Sequence, residues 1–433
     1  MNPEELNNLL APTRTTEALG IPAGIVVDLI YRVLFQEGDV SVSRLHEIIR
    51  VSNQVLDELL SRMQLDHLVE VAKTGALGRL SYTYRLTEEG TKRARDAMER
   101  TQYIGPAPVS IDSYRQAILI QTRTRDRITP SEVKNALRHL ILPEDFHRRI
   151  GPAVNSGSSL FLYGPPGNGK TTIAQAIAGL LAGTNPIWLP YAITIGGQII
   201  QIYDPLIHIA TKDPETALKG VTEPIGKGSR TDRRWELFRR PAVIVGGELK
   251  MESLDLRFEP IAKFYEAPLQ LKANGGMFLI DDFGRQQIRP QDLLNRWIVP
   301  LESGVDFLRL QSGQTLEIPF RQLSIFSTNL EPNDLADEAF LRRIQLKVLV
   351  DSPDEKLFYQ IFVAVCRSLN MPFDQRSFVF LLQEWYRKAG RTIQSVHARD
   401  IVRIVHSLCS YEQLPVQLTP ELINEACNNY FVR

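Results

Sequence analysis

Gly164-Pro165-Pro166-Gly167-Asn168-Gly169-Lys170-Thr171 fits the pattern GxxxxGK[ST] and directly follows the apolar run Ser159-Leu160-Phe161-Leu162-Tyr163. Glycines at this spacing let backbone N–H groups close around phosphates, and the helix that begins here adds the partial positive charge of its N-terminus. Lys170 has the reach for the β- and γ-phosphates, Thr171 offers a hydroxyl to Mg2+, and Thr172 opens a helical stretch that runs to Leu181. The chemistry expected of residues 164–172 is therefore binding of a nucleoside triphosphate, ATP, with Mg2+.

Two further runs carry polar groups at the end of an apolar strand. Met277-Phe278-Leu279-Ile280 ends in Asp281-Asp282, which puts two carboxylates at the C-terminal edge of a buried parallel strand, the edge where open α/β sheets bind ligands. Asp281 is expected to hold magnesium, and Asp282 to orient or deprotonate an attacking water. Leu323-Ser324-Ile325-Phe326-Ser327-Thr328 ends in Asn329, whose amide is suited to hold the γ-phosphate and the water together. Beyond it, Arg342 and Arg343 stand side by side after Asp337-Glu338-Ala339-Phe340-Leu341, at the end of a short helix. A guanidinium pair there is either an arginine finger for a neighbouring subunit's nucleotide or surface charge paired with Asp337 and Glu338.

In this order the motifs resemble those of the AAA+ ATPases, over residues 131–433. The resemblance implies Walker A at 164–171, Walker B at 277–282, sensor 1 at Asn329, an arginine finger at Arg342 or Arg343, and a sensor 2 arginine at Arg399 in Ser395-Val396-His397-Ala398-Arg399-Asp400. It also implies self-association into a ring, a hexamer, with ATP and Mg2+ bound between subunits. The chain is most similar to bacterial AAA+ proteins described only as ATPases with chaperone-like activity. One departure stands out. The family usually carries Asp-Glu where this chain has Asp281-Asp282, so the expected base is one methylene shorter and hydrolysis is expected to be slow or partner-dependent.

The elements that must position these groups follow from periodicity. Residues 131–350 alternate apolar runs with helical stretches, the signature of an α/β fold with a parallel sheet flanked by helices. Residues 351–433 show helical periodicity only and are read as a lid of about four helices starting at Asp354, Asp374, Val396 and Pro420. Residues 21–100 run helix, helix, helix, strand, glycine turn, strand, helix, with helices at 42–51 and 53–68, strands at 68–72 and 80–86, and Thr87 as the last helix's N-cap. This layout resembles a winged helix-turn-helix domain. Residues 101–130, with Gly105, Pro106 and Pro108, are expected to be a linker. The long segment 187–274 yields no assignment.

Composition narrows the partners. Lysine plus arginine and aspartate plus glutamate both number 50, so no whole-molecule field draws the chain to nucleic acid or acidic lipid. No signal-like N-terminus or spanning apolar run is evident, which predicts a cytoplasmic protein without membrane insertion, and the sparse Cys366, Cys409 and Cys427 fit a reducing compartment. The one basic stretch runs from Lys227 to Arg240, with Arg230, Arg233, Arg234 and Arg239 and with Trp235 and Phe238 interleaved. It suits a phosphate backbone, but a solvated insertion loop or a subunit contact is preferred. The helix over 53–68 carries Asp57, Glu58 and Asp66 against Arg62, a poor face for a DNA groove. Residues 307–318 read as a β-hairpin that resembles the pre-sensor hairpin of AAA+ remodelling subgroups or is a plain exposed hairpin; a GAFTGA string is absent. Of the seven histidines only His397, beside Arg399, invites mutation.

These features predict an ATP-hydrolysing oligomeric motor acting on a macromolecular partner, a protein before DNA. The alternatives are an ATP-dependent DNA-binding regulator and a nucleotide-gated scaffold that hardly hydrolyses.

Overall fold

A computed structural model describes residues 3–75, 79–123, 127–157, 159–211, 231–335 and 338–431. Five strands form a parallel sheet in the order Ala242–Val245, Met277–Ile280, Leu323–Thr328, Ser159–Tyr163, Leu346–Leu349. Their residues alternate between two cores, as a pleated strand requires. Leu160, Leu162, Leu279 and Ile325 face the helices Pro130–Leu137, Phe146–Ser156 and Lys170–Ala182. Phe161, Phe278, Ile280 and Phe326 face the opposite layer, where Trp297 of the helix Pro290–Ser303 packs edge-on against Phe278 at 5.2 Å. The α/β class expected from the apolar runs is the observed one. The edge strands Ala242–Val245 and Leu346–Leu349 are short and end in no polar motif that would single them out in the sequence.

The strand that precedes the glycine loop is flanked in the sheet by Leu323–Thr328 and Leu346–Leu349, neither of which follows it directly in the chain. Loops leaving its C-terminal end therefore diverge from those of its neighbours, and divergence of this kind opens a crevice at that edge of the sheet.

The described residues of segment 187–274, joined by Val109–Ser110, build a second framework. Strands Arg257–Glu259, Phe264–Glu266, Gln198–Gln201, Ala192–Ile195 and Val109–Ser110 form one sheet, and Ile187–Pro190 pairs with Trp235–Phe238 beside it. The hairpin expected before the polar strand is present as Val305–Arg309 paired with Thr315–Pro319. It is not a plain exposed hairpin: Leu308, Leu316 and Ile318 are buried in the core of the second sheet, although Phe307 is exposed. Glu317 of the hairpin forms an ion pair with Arg115.

Residues 101–130, expected as a linker, are folded over most of their described length. The preceding helix already ends at Arg100, with Thr101 extended as its C-cap, ahead of Pro106 and Pro108; Val109–Ser110 then joins the second sheet and Ile111–Arg123 forms a helix. Tyr114, Ala117, Ile118 and Gln121 recur at helical spacing on its buried face, a pattern the proline content of the stretch overshadowed.

The N-terminal unit comprises helices Ala23–Glu37, Val42–Ile49, Asn53–Leu65 and Glu88–Arg100 with an antiparallel sheet of Val40–Ser41, Thr83–Leu86 and Val69–Lys73. Thr87 caps the last helix by accepting from Gly90 N at 3.0 Å, as expected. The second strand begins later than predicted because Arg79–Ser81 forms a 3-10 turn, and of the glycine turn expected over residues 75–78 all but Gly75 lie outside the described residues. In the C-terminal lid, Asp354, Asp374 and Thr419 cap helices at Glu355–Ser368, Gln375–Phe380 and Pro420–Tyr430, and Ser395–Tyr411 is the fourth. A π-helical turn over Leu381–Arg387 extends the second. Among the described residues no helix is long and apolar enough to cross a membrane.

Candidate functional site

The glycine loop leaves Tyr163 and enters the helix Lys170–Ala182 through three glycines at φ +132°, +76° and +87°, Gly164, Gly167 and Gly169. A Cβ at Gly164 would lie 2.5 Å from Val350 O, and one at Gly167 would lie 2.6 Å from Val396 Cγ1. Glycine is thus required there by backbone conformation and by space together. Gly169 is the helix N-cap without a side-chain cap, so the first-turn N–H groups remain available to an anion.

Lys170 is 6% exposed, and its Nζ donates to Gly164 O at 2.8 Å and Pro165 O at 2.9 Å. Burial lowers its pKa, while the nearby carboxylates of Asp282 and Asp281 oppose that shift. Thr171 Oγ1 donates to Asp281 Oδ2 at 2.7 Å, which joins the loop to the acidic strand end across the intervening polar strand. Asn329 Nδ2 donates to Asp282 Oδ1 at 3.2 Å. Pro166, Gly167, Gly169, Lys170, Thr171, Thr172, Asp282, Asn329 and Arg399 line one cavity of about 470 Å³. Most of the expected site thereby converges on a single space.

Arg399 is half exposed, and its Nε donates to Asp400 Oδ1 at 3.1 Å, so a ligand in the cavity would have to draw it from a neighbouring carboxylate. The lid meets the loop through backbone groups as well. Val396 N donates to Gly167 O at 2.9 Å and Ser395 N to Asn168 Oδ1 at 3.0 Å. Asn168 Nδ2 donates onward to Ser352 Oγ at 3.3 Å, between the sheet and the lid. The Asn168 side chain is a joint between loop and lid, and sequence reasoning assigned it no such part. His397 is buried and accepts from Tyr386 Oη at 3.0 Å; burial first, and then Arg391, lowers its pKa to about 4.

Arg342 and Arg343 are not among the residues around this cavity. They follow the short helix Glu338–Leu341, with Arg342 exposed and Arg343 Nε 2.5 Å from Glu302 Oε1. Asp337, one of the expected surface partners, lies outside the described residues.

The sequence missed a larger space that adjoins this one. A cavity of about 940 Å³ shares Gly169, Thr172 and Ser395 with the first and is walled by Leu140, Leu142, Phe146, Val350 and Leu357. Glu144, Arg149, Asp351 and Lys356 line it as well, so it offers a flat heterocycle at the end of a phosphate chain both room and a mixed apolar and polar wall. Its walls come from chain segments about 200 residues apart that share no motif, so only the composition of each segment was visible.

The basic stretch changes character. Lys227 and Arg230 lie outside the described residues. Arg234 is 3% exposed, clasped by both oxygens of Asp232 and bonded through Nη1 to Leu19 O and Pro108 O. Arg240 is also buried and donates to Gly275 O, and Trp235 and Phe238 belong to the core. Trp235–Phe238 form a strand, and two of the four arginines of residues 231–240 are buried, so the stretch is not a solvated loop. Arg234 and Arg240 are internal struts while Arg233 and Arg239 are exposed, and the charge count alone could not tell a paired, buried arginine from a surface one.

A family model described as Domain of unknown function (DUF8689) matches residues 354–429, the helical lid. No curated protein matches. Among solved structures the chain is similar to the RuvB Holliday junction branch migration motor of Thermotoga maritima, at 13% identity over 71% of this chain and 73% of that chain, with a TM-score of 0.36. It is also similar to NtrX from Brucella abortus in complex with ATP, at 14% identity over 78% of this chain and 66% of that chain, with a TM-score of 0.39.

Proposed function

We propose that the protein is an AAA+-type ATPase that binds ATP with Mg2+, assembles through its nucleotide sites into a ring, a hexamer, and applies hydrolysis to a macromolecular partner, a protein. The observation that carries this reading is the convergence of Lys170, Thr171, Asp282, Asn329 and Arg399 on one cavity at the C-terminal edge of a parallel sheet. The adjoining cavity, with room for a base, supports a nucleotide over inorganic phosphate.

In this reading Lys170 turns from the carbonyls of Gly164 and Pro165 to the β- and γ-phosphates, and the helix N-terminus at Gly169 faces their negative charge. Asp282 accepts the proton of an attacking water or aligns it. Asn329, already bonded to Asp282, holds that water against the γ-phosphate. Thr171 and Asp281 supply hard oxygen donors 2.7 Å apart, a set that fits magnesium with most of its waters retained. Magnesium there supplies charge neutralisation on the phosphates. Arg399 reaches the same phosphates from the lid, and Arg342 or Arg343 serves the site of the next subunit.

A protein partner is favoured over DNA by the helix Asn53–Leu65. Its Arg62 pairs with Glu58 and the nearby Arg79 with Asp57, so the cations at this face are already neutralised. Cytoplasmic placement and a winged-helix docking role for residues 21–100 complete the proposal.

The test is ATP turnover of the full chain beside Lys170→Ala and Asp282→Asn, with assembly followed by light scattering. Lys170→Ala is expected to abolish nucleotide binding. Asp282→Asn is expected to retain ATP while turnover falls by about two to three orders of magnitude. Assembly with ATP but no turnover above the Asp282→Asn background would replace the motor with a nucleotide-gated scaffold. Duplex-stimulated turnover would replace the protein partner with DNA.

A further inference from the structure

Asp282 has φ +48°, in the left-handed region that residues with a Cβ seldom enter. Such a conformation persists where its surroundings over-determine it, and the turn after the acidic strand is held from two sides. On the sheet side Phe283 N donates to Ser327 O at 2.7 Å, and the Thr328 hydroxyl donates to Phe283 O at 2.7 Å. On the outer side Arg285 N donates to Asp282 O at 3.0 Å, and one side-chain amide ties the rest of the turn together. Gln286 Nε2 donates to Asp281 O at 2.8 Å and to Asp282 O at 3.2 Å, and Gln286 Oε1 accepts from Gly284 N at 2.9 Å.

We infer that Gln286 is a positioning residue for Asp282, fixing the left-handed turn that brings this short carboxylate to Asn329. The inference rests on the reading of Asp282 as the group that handles the attacking water. An aspartate has one torsion fewer than a glutamate, so the place of its carboxylate is set largely by the backbone at its own position. With that backbone held, Asp282 Oδ1 lies 3.2 Å from Asn329 Nδ2. Without the amide, the Asp281 carbonyl and the Gly284 N–H lose this partner, the Asp282 carbonyl keeps only its bond from Arg285 N at 3.0 Å, and residue 282 is released toward the negative φ that most residues prefer. The carboxylate then swings away from Asn329. The glutamine thus compensates in the backbone for the methylene that the side chain lacks.

The experiment uses the full chain and compares wild type, Gln286→Ala, Gln286→Met, the exposed neighbour Gln287→Ala, Asp282→Asn and the double variant Gln286→Ala/Asp282→Asn. Turnover number, KM for ATP, affinity for a fluorescent non-hydrolysable ATP analogue and thermal melting are measured on each. Gln286→Ala is expected to lower the turnover number by about tenfold to a hundredfold, with analogue affinity within about twofold of wild type. Gln286→Met keeps the length of the side chain without its amide, so it is expected to show the same loss if the alanine variant folds poorly. In the Asp282→Asn background Gln286→Ala is expected to add nothing, because the group being positioned is already gone. Gln287→Ala is expected to match wild type. Wild-type turnover in both Gln286 variants, or a loss that multiplies with that of Asp282→Asn, overturns the inference and leaves the ATPase reading standing. A wild type with binding but no turnover overturns both.

Discussion

His397 shows how a single buried side chain ties the lid to solution conditions. It sits at the third position of the helix Ser395–Tyr411, and its Nδ1 accepts from both Tyr386 Oη and Gln394 N, a pattern that leaves the ring neutral. Burial lowers its pKa from 6.5 to about 4. His208 is lowered to about 4 in the same way, with Asp204 N donating to its Nδ1. A histidine whose folded pKa lies below its unfolded value binds fewer protons when folded. Its stabilisation is therefore complete above about pH 6.5 and is lost as the pH falls toward about 4. The melting temperature is expected to drop across that window, and His397→Asn, which cannot take up the proton, is expected to flatten the slope. Unchanged pH dependence in that variant would mean His397 is solvated in solution. Lys170 belongs to the same scale: its buried ammonium is held by two carbonyls of its own loop, a pre-set position that costs little reorganisation when phosphate replaces them.

Between elements, the joint that matters most is the one that Asn168 makes. Its amide bonds both the N-terminus of the lid helix at Ser395 and the hydroxyl of Ser352, while Val396 N meets Gly167 O beside it. A lid connected to the loop by a few hydrogen bonds and a glycine contact is free to shift when those bonds change, and a shift would move Arg399 relative to the cavity. Asn168→Ala leaves Ser395 N without its acceptor in a partly buried place, at a cost of about 1–3 kcal/mol. The expected outcome is a lower melting temperature and a severalfold weaker affinity for an ATP analogue, read by calorimetry. Equal affinity in the variant would show that lid and nucleotide are uncoupled at this joint.

At the scale of the whole molecule, the N-terminal unit is not a detachable module. Its core includes Ala192 and Ile199 of the second sheet, and Phe264 packs against it edge-on to Tyr103 at 5.6 Å. Arg50 binds Glu236 at 2.9 Å and lies over the Tyr191 ring, Gln102 N donates to Ala262 O at 2.7 Å, and buried Arg234 holds Leu19 and Pro108 in place. The second sheet in turn carries the hairpin that leads into the polar strand ending at Asn329. Deleting residues 1–100 is therefore expected to expose that apolar seam and leave the remainder aggregation-prone, whereas the full chain is expected to give coincident unfolding of both parts. Separate unfolding transitions, detected by calorimetry and by limited proteolysis, would contradict this.

What the sequence determined by itself was the chemistry concentrated in contiguous segments. The glycine loop, the carboxylates after Met277–Ile280 and the amide after Leu323–Thr328 were legible because each is a strand end whose function depends on residues a few positions apart. The helical lid and its caps were legible for the same reason, since capping and 3.6-residue periodicity are local rules. The tertiary structure alone decided what depends on distant segments meeting. It built the larger cavity from two stretches about 200 residues apart, turned Arg234 and Arg240 from apparent surface charge into buried struts, and folded the expected linker into the second sheet. It also gave Asp282 its left-handed turn under Gln286. Burial and partnership are properties of the packed chain, and residue type and spacing constrain them only where both partners lie within one element.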